Sequence, residues 1–240
     1  MGIDLTLEPR KLAWALARVI LALDAAYILT QALVFAFGFS PNSLAFALVD
    51  LNHEMNFPTF YAGAALLLAA LLLAATAAGE RGRGRPFAAW AGLSSAFVFL
   101  AADEVLMIHE KLNDPLRAAL HTTGGAFHHA WLIPYAVLTA AMGALYVPFL
   151  LRLPKATRRL FIVAGTMFVG GAVGCELIGN ALQGGVQEKG LPLIVEIFCE
   201  ETLEMSGVAL FIYAIVAYMQ AELPGLSFRV GVSGASSERL

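Results

Sequence analysis

Long apolar stretches alternate along the chain with short polar joints, and six of the stretches reach the about 20 residues that a helix needs to cross a bilayer core. They cover residues 12–37, 59–78, 87–107, 128–150, 160–182 and 194–219. Blocks such as 64–75 are apolar without alternation, which favours helices over the short, alternating strands of a membrane barrel. The pattern therefore predicts an all-α, polytopic membrane bundle of about six transmembrane helices.

Composition strengthens this reading. Of 240 residues, 59% are apolar and 14% charged, a balance that excludes an ordinary soluble domain. The first stretch is long and lacks a small-residue cleavage site before Pro41, so it is expected to stay as a signal-anchor helix. No joint is long enough for a second folded unit. The expected organisation is a single transmembrane domain over 1–224 and a short flexible cytoplasmic tail over 225–240. No internal repeat supports an inverted-repeat transporter.

Charge then orients the bundle. Basic residues favour the cytoplasmic side, and 12 of the 15 fall at the start of the first stretch, in the joints at 79–86 and 151–159, or in the tail. Only Lys111, Arg117 and Lys189 lie across from them. Both termini are expected in the cytoplasm. The acids lean the other way: Asp50, Glu54, Asp103, Glu104, Glu110, Asp114, Glu176, Glu188, Glu196, Glu200, Glu201 and Glu204 fall on or toward the outer side, 12 of 18. All five histidines, His53, His109, His121, His128 and His129, join them there.

Depth separates loop acids from chemistry. At about 1.5 Å per residue, Glu200 and Glu201 lie roughly 10 Å below the outer end of the last stretch and Glu204 about 15 Å below it. A charged acid at that depth costs about 2.5–3.5 kcal/mol, and no lysine or arginine lies near enough to compensate. The remaining compensators are protons, water, histidine and metal ions. At 100° per residue, Glu196, Glu200 and Glu204 form one stripe, Glu176, Asn180 and Gln183 a second, and Asp103, Met107 and Glu110 a third. Glu104 and His109 fall off the third stripe unless the helix unwinds near its end. In the fifth stretch, Gly170-x-x-x-Gly174 and Cys175-x-x-x-Gly179 have the small-residue spacing that lets helices approach closely.

Carboxylates with a few imidazoles, converging from several helices, are the ligand set of carboxylate-bridged iron or manganese pairs and of some zinc sites. The expected metal-binding residues are Asp103, Glu104, His109, Glu110, His128, Glu176, Glu200, Glu201 and Glu204, around one or more divalent ions, Fe, Mn or Zn. The resemblance to di-iron carboxylate proteins lies in residue type alone, since no Glu-x-x-His occurs on any helix. The histidine boxes of membrane desaturases are absent too. The blander alternative is a set of protonated acids hydrogen-bonded to one another.

Several polar groups have ordinary readings beside the functional ones. His128-His129 can belong to the aromatic belt with Trp131 and Tyr135. Asn56 and Pro58 can simply start a helix. Asp24 is read equally as a proton relay and as a buried hydrogen-bond partner, and Cys175 and Cys199 as a disulfide or as free thiols. Because the polar chemistry is one-sided, the pattern favours a metal-dependent membrane enzyme, hydrolase or oxidase, acting on a lipid-soluble or outer-face substrate. Its partners would be membrane lipid and that substrate, not nucleic acid. The alternative is a proton- or metal-ion-handling transporter, channel or sensor.

Overall fold

The computed structural model describes residues 2–5, 7–40, 43–121, 128–183, 190–224 and 228–231. Glu188, Lys189 and Arg239, which entered the charge argument, lie outside the described residues. Helix α1 spans Pro9–Phe37, α2 Leu44–Ala47, α3 Phe57–Gly82, α4 Ala88–Leu106, α5 Ile108–Leu120 and α6 Leu132–Arg152. Helix α7, Lys155–Val169, runs through a π-helical turn, Gly170–Cys175, into α8, Glu176–Gln183. Helix α9 spans Leu191–Glu222. Strands β1, Gly2–Leu5, and β2, Phe228–Gly231, pair antiparallel.

Six helices are long and apolar enough to cross a membrane: α1, α3, α4, α6, the α7–π–α8 unit as far as Leu182, and α9. Each coincides with one of the six apolar stretches, and the fold is that of an integral, multi-pass helical bundle. Helix starts follow local chemistry, since α1, α3 and α9 each carry proline in the first turn, where the missing N–H costs nothing. Helix α1 ends on Gly38 at φ 66°, the left-handed position that glycine occupies without strain.

Helices α3 and α9 form the centre, with α4 packed on α3, and α1 and α7 packed on α9. The core between them is apolar and aromatic. Phe97 stacks on Phe211 with centroids 4.8 Å apart, and buried Trp90 meets Phe149 and Tyr218. The outer surfaces of α1, α4 and α6 stay apolar and exposed, as lipid contact requires.

The two ends of the bundle differ in chemistry. At one end, buried Glu80 accepts a hydrogen bond from the Tyr218 hydroxyl at 2.8 Å and pairs with Arg85 at 2.8 Å. Arg85 and Arg83 also donate to the carbonyls of Glu222 and Pro224, tying the α3–α4 turn to the end of α9. The β1–β2 pair connects the two ends of the chain. The short strand at 228–231 falls in the segment expected to be a flexible tail; the four residues find backbone partners in 2–5, which hydropathy alone does not foreshadow. The other end carries the histidines.

A carboxylate and histidine cavity

At the histidine end, a cavity of about 420 Å³ opens between α3, α4, α5, α8 and α9. Nine carboxylates line it: Glu54, Asp103, Glu104, Glu110, Glu176, Glu196, Glu200, Glu201 and Glu204. His109, His129, Asn52, Asn113, Trp131, Tyr135 and Thr139 add to its polar wall. Among the described residues no lysine or arginine lines it. Acids from four separate helices and one loop thus meet in a single space.

Each wall has a local cause. Helix α4 stops at Leu106 because Met107 adopts left-handed geometry, φ 54°, and the chain restarts as the amphipathic α5. That break brings His109 and Glu110 back toward Asp103. Asp103 Oδ1 accepts the His109 backbone N–H at 2.9 Å and the Tyr135 hydroxyl at 3.0 Å, while Oδ2 pairs with His109 Nδ1 at 3.0 Å. The continuous Asp103–Met107–Glu110 stripe is therefore not what forms; the helix unwinds, and Glu104 and His109 both reach the cavity. Left-handed geometry in a residue with a side chain costs about 1–2 kcal/mol, and this turn needs its hydrogen bonds to persist.

A second left-handed residue, Met55 at φ 57°, delivers Glu54. Asn56 holds the turn by accepting the Thr59 backbone N–H at 3.2 Å and donating to the carbonyls of Asp50 at 2.7 Å and Ala47 at 3.2 Å. The predicted cap on α3 is thus present, and the same turn brings Glu54 to the cavity wall. Thr59 Oγ1 lies 3.1 Å from Glu54 Oε2. Ligand atoms of Glu54, His109 and Glu110 all lie within 4.8 Å of one another, an arrangement able to hold a metal ion.

Burial pushes the Glu54 carboxyl above its usual value, with Glu110 and Asp103 adding to the rise and Thr59 and His109 opposing it. For His109, burial pulls the pKa down, but the Asp103 hydrogen bond and the charges of Asp103, Glu54 and Glu110 outweigh it and leave the imidazole above its ordinary value.

Across the cavity, His129 Nδ1 lies 2.5 Å from Glu176 Oε1 and its backbone N–H donates to Asn180 Oδ1. His128, the member of the pair expected as a ligand, does not line the cavity; its ring sits 5.1 Å from that of His129. Adjacent residues point in different directions, and the anchor on Asn180 selects His129. Burial, His129 and Arg117 hold His128 below its ordinary pKa.

Glycines bring the fifth and sixth spans together: Gly179, one of the expected small residues, makes such a contact, and Gly171 makes another in place of Gly170 and Gly174. A Cβ on Gly171 would lie 2.7 Å from the Glu200 carbonyl and 2.7 Å from Glu204 Cγ, and one on Gly179 would lie 2.7 Å from Glu196 Oε2. Gly170 and Gly174 face open space instead. The π-helical turn shifts the helix phase by widening one turn, so the contact falls on Gly171.

Glu54, Glu196 and His129 were absent from the expected ligand set. Glu196 was legible in its stripe with Glu200 and Glu204, whereas Glu54 belongs to a loop with no periodicity. Asp24 stands apart from the cavity, buried and accepting a hydrogen bond from Thr202 at 3.1 Å, which joins α1 to α9. Cys175 and Cys199 are both free thiols.

Fold and site together define a multi-pass membrane bundle with a carboxylate–histidine cavity under one end. The chain belongs to a family described as a domain of unknown function (DUF8692), whose model matches residues 12–219. No curated protein and no solved structure matches it.

Proposed function

We propose that the protein is a metal-dependent membrane enzyme acting on a lipid-soluble substrate, with a divalent ion, Fe, Mn or Zn, held by Glu54, His109 and Glu110. The observation that carries this reading is the convergence of those three ligand atoms within 4.8 Å at the edge of the cavity. Asp103 occupies His109 Nδ1 and leaves Nε2 as the metal-facing nitrogen, the carboxylate–histidine arrangement that orients metal ligands. In this reading Asp103 positions a ligand instead of being one.

Nine carboxylates without a lysine or arginine beside them need a compensating cation or protons. A divalent ion supplies that compensation, and when bound it supplies Lewis acidity or an activated water. Glu104, Glu176, Glu200, Glu201 and Glu204 extend the polar wall inward, where they can complete a shell or accept protons. The basic end faces the cytoplasm with both termini, and the cavity lies toward the outer leaflet.

Elemental analysis of purified protein tests the proposal. Wild-type protein should carry a first-row transition metal, lost from Glu54→Gln and His109→Ala but kept by Asp24→Asn. Wild-type protein that holds no metal after exposure to Fe, Mn and Zn would sink the reading and leave a network of protonated acids.

A further inference from the structure

Beside the carboxylate cavity lies a second, apolar space of about 770 Å³, walled by α4, α6, α7, the π-helical turn and α9. Its volume falls within the about 300–1,000 Å³ typical of ligand pockets. Among the described residues no acid, base or histidine lines it. Leu100, Tyr135, Thr139, Phe168 and Val173 line both spaces, so the apolar cleft adjoins the polar one across these five side chains.

The cleft exists because α6 is braced against α4 at two places. Phe149 meets Trp90 and Tyr146 Oη donates to the Ala89 carbonyl at the arginine end; Tyr135 meets Phe99 and Asp103 at the histidine end. Between these braces α6 buries almost nothing, Leu132 being its only buried residue. From Tyr135 to Phe149 the helix covers about 21 Å, more than the about 15 Å of one leaflet's hydrocarbon.

Glycine placement is the second observation. Gly143, Gly165, Gly170 and Gly174 line the cleft, and a Cβ at any of them would meet nothing within 4 Å. Close helix packing therefore does not account for them, although glycine is a poor helix former. Their effect is to keep the cleft wide along its length.

We infer that this cleft holds the hydrocarbon chain of a lipid substrate whose non-anionic polar end lies in the carboxylate cavity. The inference rests on the metal-enzyme reading and names the substrate class for that site. The adjacency of the two spaces suits an amphipathic ligand, apolar over most of its length and polar at one end. The sign of the cavity selects that end: nine acids outnumber the charge of one divalent ion, with no lysine or arginine among the described lining residues, so the net negative charge disfavours a phosphate or carboxylate head and accepts an alcohol, ester, amide or amine.

The test uses a diazirine-bearing hexadecanol with the full-length protein in lipid nanodiscs, mapping the labelled peptides by mass spectrometry. Label is expected on α6 around Met142–Tyr146 and on α7, competed by hexadecanol and hexadecylamine but not by palmitate. Gly143→Leu and Gly165→Leu, which fill open space, should each cut labelling by about tenfold, the scale on which added bulk alters binding in apolar pockets. Label spread evenly over lipid-facing α1 and uncompeted would mean bulk lipid only and overturn the inference. So would unchanged labelling in both filled variants, or palmitate competing as well as hexadecanol. Metal content is measured on the same samples. Metal-loaded protein that excludes the probe overturns the cleft alone, while specific labelling of a protein unable to bind metal upholds the cleft and sinks the metal reading.

Discussion

Replacing Gly171 by alanine should damage the molecule far more than the same change one residue earlier. The added Cβ would meet the Glu200 carbonyl and Glu204 Cγ at 2.7 Å each, and the Glu204 nitrogen at 3.3 Å. Two of these three atoms are α9 backbone and cannot swing aside, so the helices must separate by several tenths of an ångström. Overpacking of this kind costs about 1–3 kcal/mol. At Gly170 a Cβ meets nothing within 4 Å, and alanine there should gain about 0.5–1 kcal/mol from better helix propensity. The two neighbours should thus shift stability in opposite directions. Thermal melting of both variants in one detergent reads the difference, with metal content measured alongside. Gly171→Ala should also loosen the ligand wall, because Glu200 and Glu204 move with α9. Equal melting temperatures for the two variants would refute the packing derived for the π-helical turn.

Asp103→Asn should lower metal affinity by about 10–100-fold, the usual cost of losing the carboxylate behind a histidine ligand, with little change in helix content by circular dichroism. Stripping the metal should lower the melting temperature, since an ion at a hundred times its Kd stabilises the folded state by about 2.7 kcal/mol; melting that is indifferent to chelator and added ion would count against the site. Metal retention should weaken as pH falls from neutral, because Glu54 and His109 both sit above their ordinary pKa and take up competing protons early; equilibrium dialysis across pH checks this. A membrane-impermeant thiol reagent applied to intact cells should miss Arg83→Cys and reach His53→Cys, and the reverse pattern would invert the topology.

The six spans were legible because bilayer thickness imposes a length on apolar stretches that needs no tertiary knowledge. The convergence of Asp103, Glu176 and Glu200 was legible for a related reason: buried acids on separate helices, without cations, need a common polar space. What stayed hidden depends on breaks in periodicity. Met107 departs from helix geometry in the middle of a sequence that reads as one turn, and nothing in its own side chain announces it. Glu54 arrives by a loop whose direction depends on Asn56 and Met55. Choosing His129 over His128 required knowing that Asn180 lies opposite. Glu80 drew no reading from the sequence, because Tyr218, which donates to it, is remote along the chain.

The wide turn at Gly170–Cys175 makes the site sensitive to counting. Below it Ala164, and within it Gly171, face α9; beyond it, Glu176 pairs with His129 and Gly179 makes room for Glu196. Removing one residue from the turn would shorten the span by only about 1.5 Å, leaving it able to cross the bilayer. Rewinding the turn as regular α-helix with all its residues kept would instead rotate everything after it by about 100°, swinging Glu176 and Asn180 away from His129. Hydropathy would register almost no change. Chains with the same six spans but a regular fifth helix can therefore share this architecture while presenting a different set of side chains to the cavity.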